Sequence, residues 1–396
     1  MTETFSPFKG GSARRYREVF ERIAKAGNEV HLYTARLDTN WPLLEEVGGI
    51  IIHRSKEAYP HFITGDGFRS VSDAIRYSLW SLREMGKEAP FDLIEANHCP
   101  VFPTLASWVR SRMNNTPLSV TFHEVWYDEW YRYVPRRVYA PVGINLERST
   151  TLIPDLAIAV SQTTASRLTK YFRLPQDRIR IISNGVDPDL YNHGEVPRDP
   201  SKLLFLGRLN PHKKIEWLLG AVQALSKDYP GVKLDVVGEG PMSGFYRSLA
   251  SSRGLNGSVR FVGAVDDGEV ARELRSSYVY VLPSIREGQS ITLLEAMAAG
   301  TPQVVVRAVG NAAGDLLAES ESGIVAQPSS AGITLAIRKL IEDRSLWQEL
   351  NERSLRFAAG CSWDAIAQQH LEAYDNLVSE WRRDPTKMTP RQGGGN

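Results

Sequence analysis

Two glutamates eight positions apart are the residues of this chain best suited to chemistry. Glu287 and Glu295 lie in the stretch REGQSITLLEAMAAGTP (286–302), the first beside a glycine and the second in a run typical of a helix. The amino end of a helix carries unpaired N–H groups and a partial positive charge, so it attracts anions such as phosphate. A carboxylate placed there needs a purpose other than charge balance, such as accepting hydrogen bonds from hydroxyl groups of a ligand.

The spacing of the two glutamates predicts a site for a sugar linked to a diphosphate. At ~1.5 Å per residue they are separated by roughly 12 Å along the helix axis, which is the scale of a nucleotide sugar. If the helix begins near Ser290, four backbone N–H groups face the ligand, those of Gly288, Gln289, Ser290 and Ile291. The alternative is that both glutamates are ordinary surface residues.

A second anion site is predicted in GRLNPHKK (207–214), which directly follows a strand-like run. Arginine can donate two parallel hydrogen bonds to phosphate oxygens, and lysine can act as a point charge. A proline turn separates Arg208 from Lys213, so both side chains are candidates for phosphate binding. The alternative is a solvated basic turn.

Two stretches in the first half of the chain are weaker candidates. KGGSARR (9–15) is a glycine pair, Gly10 and Gly11, just before a helix-like run, where backbone N–H groups can approach an anion. SVTFHEVW (119–126) places His123 at the end of a strand-like run, and histidine is readily tuned near neutral pH. A plain turn and a structural histidine are the respective alternatives.

Other patterns are excluded or read as structural. VVGEGPMSG (236–244) is one residue off the dinucleotide-binding fingerprint, so we exclude nicotinamide and flavin. The aspartates of VDPD (186–189) and VDD (265–267) lack a third metal ligand nearby and suit turns. Cys99 and Cys361 are far apart in the sequence, which favours two reduced thiols.

Composition limits the partners. A length of 396 residues with 42% apolar residues is enough for two hydrophobic cores. The net charge of +1 gives no overall attraction to nucleic acid, so we expect no nucleic-acid partner. The amino end shows no signal-peptide pattern, and no apolar run approaches the ~20 residues of a membrane span. We therefore expect a cytoplasmic protein.

Short apolar runs alternate with longer amphipathic stretches, which predicts parallel sheets covered by helices on both faces. The helix over 12–26 would be capped by Ser12 and ended by Gly27, and residues 2–5 (TETF) could be the stub of a first strand. The strand-like runs are 29–35, 50–53, 91–96, 117–122, 155–161, 179–183, 202–208, 232–238, 258–263, 278–284, 302–307 and 323–327.

Taken together, these motifs resemble a known family in their linear order. EGQSITLLEAMAAGTP is similar to the E-x7-E segment of the retaining glycosyltransferases of family 4, which have the GT-B fold. IISNGVDPDLY resembles the family's approach to its linker, and FLGRLNPHKKIEWLLGA resembles its phosphate site. SPFKGGS, AGNEVHLYTA, TFHE and CSWDAIAQQHLEAY look like its glycine loop, an early strand entry, its strand-end histidine and its closing helix.

The resemblance implies an α/β fold of two doubly wound, Rossmann-like domains with a cleft between them. The expected division is an acceptor-side domain over 1–190, a linker over 191–200 and a nucleotide-sugar-binding domain over 201–360. A C-terminal helix over 361–383 would cross back to the first domain, and residues 384–396 would form a disordered tail.

Residue roles follow from the matching motifs. Arg208 and Lys213 would hold the donor diphosphate, Glu295 the ribose hydroxyls and Glu287 the hydroxyls of the transferred sugar. The amides from Gly288 onward would meet the distal phosphate. The remaining candidates lie near the reacting sugar, or near phosphate or acceptor, and are His123, Gly10 and Gly11.

Four features depart from the family pattern, and one of them is that the first strand is short or missing. Lys214 stands where the family usually has glycine, GQSI (288–291) replaces the usual GFGL, and AVGN (308–311) replaces a stretch that ends in glycine. These departures concern the donor sugar and base more than the reaction.

The resemblance implies transfer of a hexosyl unit from a nucleoside diphosphate to a hydroxyl with retention of configuration. The fixed positive groups would take the place of a metal, so we expect no metal or other cofactor beyond the donor. The acceptor would be a glycan, a lipid-linked molecule or a small molecule. Two alternatives are a sugar-nucleotide epimerase of the same fold and a non-catalytic nucleotide-sugar-binding protein.

The acceptor side has a stretch rich in tyrosine, tryptophan and arginine, VWYDEWYRYVPRRVYAPVGINLER (125–148). It could line a sugar site, lie on a membrane or form an aromatic helix pair. The helix over 12–26 adds five basic against two acidic residues. Peripheral contact with the cytoplasmic membrane face is therefore one interpretation of this half of the chain.

Overall fold

A computed structural model describes residues 1–8, 10–60, 70–88, 90–98, 101–133, 137–192 and 196–383. The chain divides into two compact units, one formed by residues 1–183 with 366–396 and the other by residues 184–365. The division after Ser183 precedes the expected domain end at 190, and residues 199 and 200 of the expected linker already belong to a strand. Cys99 and the expected tail, 384–396, lie outside the described residues.

The first unit contains two sheets. Its strands are β1 (Val30–Arg36), β2 (Leu44–Val47), β3 (Ile50–Ala58), β4 (Ile94–Asn97), β5 (Leu118–Phe122), β6 (Leu156–Ala159) and β7 (Ile179–Ile181). Helices of the same unit are α1 (Gly11–Lys25), α2 (Val71–Glu88), α3 (Val101–Asn114), α4 (Trp130–Tyr133), α5 (Ala140–Thr151) and α6 (Gln162–Phe172).

The strand orders in these sheets are β1-β3-β2 and β4-β5-β6-β7, and all pairs are parallel except β2 with β3. The amino-terminal residues link the two sheets. Thr2 N–H donates to the Tyr33 carbonyl in β1 at 3.1 Å, and Asn97 N–H in β4 donates to the Met1 carbonyl at 2.9 Å. Residues 1–5 are buried, so this segment occupies the place of a strand between β1 and β4, as expected for a strand stub.

Helix α1 begins one residue earlier than the sequence suggested. Gly10 is the N-cap residue and Gly11 is the first helical residue, so the prediction that Ser12 caps this helix is wrong. Gly10 has φ of −172°, a backbone conformation that any residue can adopt. A small residue is favoured there because a Cβ would come within 3.0 Å of the Phe8 ring. The helix ends at Lys25, and Gly27 follows with φ of 95°.

The second unit is built around one sheet of six parallel strands. These strands are β8 (Asp199–Leu206), β9 (Lys233–Val237), β10 (Val259–Gly263), β11 (Ser277–Leu282), β12 (Gln303–Val306) and β13 (Gly323–Ala326). Its helices are α7 (Pro188–Asn192), α8 (Ile215–Leu225), α9 (Ser243–Ser252), α10 (Asp267–Ser276), α11 (Ile291–Ala298), α12 (Ala312–Ser320), α13 (Ser330–Glu342) and α14 (Arg344–Ala359).

The strand order of the second unit is β10-β9-β8-β11-β12-β13, so the chain reverses direction across the sheet between β8 and β11. Strands β11 and β12 are buried along their whole length, which explains why their sequences are continuous apolar runs. In open parallel sheets, ligands bind beyond the carboxyl ends of the strands where the order reverses. The residues that follow β8 and β11 are therefore the place to look for a site.

A final helix, α15 (Trp363–Arg383), contributes its residues from Ile366 onward to the first unit. Trp381 Nε1 donates to the Asn115 carbonyl at 3.0 Å, and His370 is 2% exposed inside that unit. The closing helix expected over 361–383 thus packs on the first unit from Ile366 onward. Within the described residues, every helix is too short or too polar to cross a lipid bilayer.

Candidate functional site

The loops that follow β8 and β11 lie side by side. Ile285 N–H in the second loop donates to the His212 carbonyl in the first at 3.0 Å. Lys213 Nζ then lies 2.6 Å from Glu287 Oε1, and each side chain is 12% exposed. Two of the residues predicted to bind the donor, 74 positions apart in sequence, are therefore in direct contact at the reversal point of the sheet.

Arg208 lies in the first of these loops, two residues after the end of β8. Its side chain is exposed, and no hydrogen bond or ion pair joins it to a residue that the structure describes. Burial and the positive charges of Lys213, Arg286 and Lys214 lower the pKa of neighbouring His212 to about 2. His212 is therefore neutral, chiefly because it is buried, and the three positive groups near it add to the shift.

Lys214 occupies a glycine-type conformation. Its φ of 52° and ψ of 39° place it in the left-handed region, between the 3-10 turn Pro211–Lys213 and α8. The family's usual glycine at this position is explained by this backbone geometry. The Lys214 side chain makes an ion pair with Glu216 at 3.3 Å.

The loop after β11 ends at Ser290, the N-cap residue of α11. No side chain caps the first turn of this helix. Ser290 Oγ instead lies 2.9 Å from Thr292 Oγ1, which is 2.7 Å from the Tyr280 hydroxyl. The backbone N–H groups at the start of α11 therefore lack a capping side-chain acceptor within the described residues, as an anion site requires.

Serine in place of the family's second glycine is compatible with this backbone. Ser290 has φ of −83° and ψ of 115°, an extended conformation open to any residue. The side chain of Gln289, which replaces phenylalanine, turns to Asn184, whose backbone N–H donates to Gln289 Oε1. The departures at 288–291 thus leave the loop backbone in an unstrained form.

Glu295 lies in the interior of the second unit. It is 2% exposed, and its Oε1 accepts a hydrogen bond from the Tyr191 hydroxyl at 2.8 Å. Tyr191 lies in α7 and is fully buried. The contact with ribose predicted for Glu295 stays a prediction, and Tyr191 is a partner that the sequence did not indicate.

Asn311 holds the loop that carries Glu287. Its Nδ2 donates to the Ser284 carbonyl at 2.8 Å and to the Val306 carbonyl at 3.0 Å, and its Oδ1 accepts from Ala313 N–H at 3.2 Å. The Glu287 carbonyl accepts from Ala312 N–H at 2.9 Å. Asparagine in the departing AVGN stretch therefore ties the Glu287 loop to the amino end of α12.

The glycines of VVGEGPMSG serve close packing. A Cβ on Gly238 would lie 2.2 Å from the Gly207 carbonyl oxygen, and one on Gly240 would lie 2.6 Å from the Leu209 carbonyl oxygen. Leu209 N–H donates to the Glu239 carbonyl at 3.0 Å. This glycine pair lets one loop lie against the loop that carries Arg208, which accounts for the spacing without a dinucleotide.

The aspartates considered as metal ligands have turn and capping roles. Asp187 Oδ1 accepts from Asp189 N–H at 3.2 Å, and Asp266 Oδ1 accepts from Glu269 N–H at 2.8 Å as the cap of α10. Across the described parts of the chain, no three histidine, cysteine, aspartate or glutamate side chains are grouped as metal ligands.

The remaining predicted residues lie in the first unit. Gly10 and Gly11 are exposed at the amino end of α1, and His123 is half-buried directly after β5. The His123 ring centroid is 6.3 Å from that of Tyr16 in α1. The structure therefore brings His123 close to the helix that begins with the glycine pair.

Arg15 is buried rather than part of a basic surface on α1. It is 2% exposed, and its guanidinium donates to the Ser183 carbonyl at 2.7 Å and contacts His370 Nε2 at 2.9 Å. Arg22 pairs with Glu18 at 2.8 Å. The positive charge counted on this helix from the sequence is thus only partly available at its surface.

The chain matches known protein families and a known relative in sequence. The family model described as "Glycosyltransferase Family 4" matches residues 9–190, and "Glycosyl transferases group 1" matches residues 190–357. An uncharacterized glycosyltransferase of Methanocaldococcus jannaschii is 25% identical over 390 residues, covering 92% of this chain and 94% of that protein.

Solved structures show the same fold. Sucrose-phosphate synthase from Thermosynechococcus elongatus superposes with a TM-score of 0.81 at 20% identity, covering 96% of this chain and 95% of that one. HepE of Anabaena in complex with UDP-glucose gives a TM-score of 0.73 at 17% identity, covering 95% and 98%. The two family matches together span residues 9–357, and this chain belongs to the glycosyltransferases of family 4, enzymes with the GT-B fold.

Proposed function

We propose that this glycosyltransferase moves a hexosyl unit from a nucleoside-diphosphate sugar to an acceptor hydroxyl, with retention of anomeric configuration and without a metal. The observation that carries the proposal is the 2.6 Å contact between Lys213 and Glu287 beside the uncapped start of α11. It gathers a cation, a carboxylate and free backbone donors at one place. A diphosphate joined to a polyhydroxyl sugar matches that set, and HepE, which has the same fold, was solved with UDP-glucose.

The chemical difficulty is the departure of the diphosphate from an oxocarbenium-like centre. Arg208, Lys213 and the N–H groups of residues 288–291 would stabilise the negative charge that grows on the leaving group. Preorganised donors of this kind contribute about 3 kcal/mol each to lowering a barrier. Because positive groups of the chain fill this role, the reaction proceeds without a divalent cation.

Glu287 would accept hydrogen bonds from hydroxyls of the transferred sugar, and His123 would lie beside the reacting sugar. No covalent nucleophile is needed, since the acceptor hydroxyl would attack on the face that the diphosphate leaves. The departing oxygen then takes the acceptor proton, which balances the step. Retention can be read directly from the anomeric configuration of the product by NMR.

Arg208→Ala tests the phosphate assignment. Because the side chain is exposed and makes no hydrogen bond or ion pair with a described residue, we expect an unchanged melting temperature. Transfer should fall by a factor of about 10² to 10³, the usual effect of removing one transition-state donor. The assay is run with EDTA, so that the same experiment measures metal independence.

Arg272→Ala is the matched control, because Arg272 is also an exposed arginine of the second unit and pairs with Glu269 on its own helix. It should retain wild-type transfer. Full activity in Arg208→Ala, or loss of wild-type activity in EDTA, would each remove the corresponding part of the proposal.

The donor base and sugar are identified by a thermal-shift panel of UDP-, GDP- and ADP-sugars. A ligand present at 100 times its dissociation constant stabilises the folded state by about 2.7 kcal/mol. The true donor should raise the melting temperature in the wild type and much less in Lys213→Met. A panel without any stabilising nucleotide sugar would contradict the proposal.

A lipid surface is the partner we propose for the acceptor side. Val138 and Tyr139, in the 3-10 turn before α5, and Val142 in its first turn are 71%, 53% and 67% exposed, with exposed Arg137 beside them. Of the acidic residues nearby in sequence, Glu129 and Glu147 are buried, and Asp128 is paired with Arg167. An apolar patch next to a basic residue suits an anionic membrane that presents a lipid-linked acceptor.

Vesicle flotation tests this partner. The protein should float with vesicles containing phosphatidylglycerol at low salt, and Val142→Asp should reduce the bound fraction several-fold. Leu79→Asp is the control, because Leu79 is 64% exposed on α2. Absence of co-flotation, or equal losses in both variants, would exclude the membrane and favour a soluble acceptor.

A further inference from the structure

Two hydrogen bonds, both donated by Asn184, join the start of the second unit to the loop that carries the predicted phosphate donors. Asn184 N–H donates to Gln289 Oε1, and Asn184 Nδ2 donates to the Gln289 carbonyl at 3.1 Å. Asn184 is 3% exposed, so these bonds are shielded from water. The sequence indicated neither of these two hydrogen bonds.

The second of these bonds fixes the direction of a backbone donor. In a trans peptide the C=O of one residue and the N–H of the next point in opposite directions. Since the Gln289 carbonyl is held on Asn184, the N–H of Ser290 points away from Asn184. No described residue accepts a hydrogen bond from that N–H, although Ser290 is only 6% exposed.

The first bond, which Asn184 N–H donates, fixes the orientation of the Gln289 side chain. Gln289 Oε1 must be the acceptor, because the Asn184 backbone can only donate. The Ser183–Asn184 peptide is itself held at its carbonyl, which accepts from Arg15 Nη1 at 2.7 Å in the first unit. A charged donor on a peptide carbonyl polarises the peptide and strengthens its N–H as a donor.

We propose that Gln289 and Asn184 are positioning residues that aim the Ser290 N–H at the donor diphosphate. Neither side chain touches the substrate in this role. The glutamine that stands where the family has phenylalanine thus adds one side-chain hydrogen bond to the one that its backbone carbonyl accepts. The inference rests on the proposed function, because the Ser290 N–H is taken as one of the phosphate donors.

The test is a double-mutant cycle with Gln289→Met and Asn184→Leu, both close in size and uncharged. The probes are amide hydrogen exchange at Ser290 without ligand, and affinity for inorganic pyrophosphate. Each single variant should speed exchange and weaken pyrophosphate binding about tenfold, and the double variant should be no worse than either single one. Transfer kcat should fall by up to about 10², since small misplacements have effects of that size.

Gln223→Met is the control, because Gln223 is an exposed glutamine of the same unit. Gln289→Glu is a second variant that keeps an acceptor oxygen for Asn184 N–H, so Ser290 exchange should stay at the wild-type rate even if Gln289→Met does not fold. Fully additive effects, unchanged exchange in Gln289→Met, or fast exchange in Gln289→Glu would overturn the inference.

The outcomes separate the two proposals. If wild-type protein binds pyrophosphate and shows the expected coupling yet transfers no sugar, the proposed function fails and the positioning role stands. If transfer proceeds and both variants match the wild type, the positioning role fails alone.

Discussion

Lys214 shows how a single residue can carry strain beside a site. Its φ of 52° lies in the left-handed region, which costs a residue with a Cβ about 1 kcal/mol relative to glycine. Its ion pair with Glu216 is partly exposed and contributes little in return. The residue adds positive charge next to Lys213, so the strain accompanies a favourable potential for an anion.

Lys214→Gly should therefore raise the free energy of unfolding by about 1 kcal/mol, because the left-handed conformation suits glycine. The measurement is chemical denaturation of the second-unit transition. Lys214→Ala is the matched control, since it loses the same ion pair and keeps the strained backbone. Equal stability of the glycine and alanine variants would show that the conformation carries no strain.

The residues of the site differ in how far they could be predicted. Arg208, Lys213 and Glu287 could be selected because charged residues that follow buried strands gather at one edge of a sheet. The pairing of Gln289 with Asn184 could not, because each is a neutral polar residue in a loop and nothing in the spacing shows which partner it meets. The hydrogen bond from the Tyr191 hydroxyl to Glu295 could not be predicted for the same reason, since the two residues lie in different elements.

At the scale of elements, α4 and α5 are joined through one carboxylate. Glu147 in α5 accepts from Trp126 N–H at 2.7 Å, Tyr127 N–H at 2.9 Å and Trp130 Nε1 at 2.8 Å. Gly143 allows the close approach, because a Cβ there would come within 2.5 Å of the Trp130 ring. Trp126, Tyr127 and Trp130 of the aromatic stretch are therefore anchored by one buried carboxylate.

Burial raises the pKa of Glu147 to about 7 from an ordinary value of 4.5, although three donors and nearby Arg167 favour its charged form. Between these pH values the folded state binds more protons than the unfolded state. Stability should therefore fall as pH rises from about 4.5 to about 7, by about 3 kcal/mol from this group. Denaturation curves across that range, compared with Glu147→Gln, measure the effect.

Glu147→Gln keeps an oxygen acceptor and removes the titration, so its stability should lack this slope. The wild type minus variant difference must therefore change with pH. Parallel curves for the two proteins would mean that Glu147 titrates alike in the folded and unfolded states.

Prediction of whole elements succeeded where strands are buried on both faces. The apolar runs over 117–122 and 302–307 became β5 and β12 with ends shifted by one residue. Strand β2 was missed because its residues, LEEV, are mostly exposed and it pairs antiparallel to β3 at the sheet edge. Its pattern lacks the apolar signal, and its place is set by the turn at Gly48 and Gly49.

At the scale of the molecule, the second unit is continuous in sequence and the first is not. Residues 184–365 carry a complete six-stranded sheet with its own core, whereas the first unit needs α15 from the end of the chain. Trp381, His370 and Tyr374 of α15 are buried in the first unit. The two units should therefore differ in stability when each is produced as a separate fragment.

A fragment of residues 184–365 should fold alone and unfold cooperatively, whereas residues 1–183 without α15 should be strongly destabilised. Circular dichroism during thermal unfolding of both fragments measures this. Addition of a peptide of residues 366–383 to the fragment of residues 1–183 should restore part of the structure of that fragment. A cooperative 1–183 fragment as stable as the whole chain would contradict the expectation.

The two ends of the second unit are neighbours. Val186 N–H donates to the Cys361 carbonyl at 2.8 Å, and Trp363 N–H donates to the Val186 carbonyl at 3.2 Å. A segment whose entrance and exit adjoin can be exchanged as a cassette, because its replacement leaves the flanking chain the same short gap to span. If the second unit binds the donor, as we propose, chimeras that swap 184–365 between relatives would recombine donor choice and acceptor choice as independent traits.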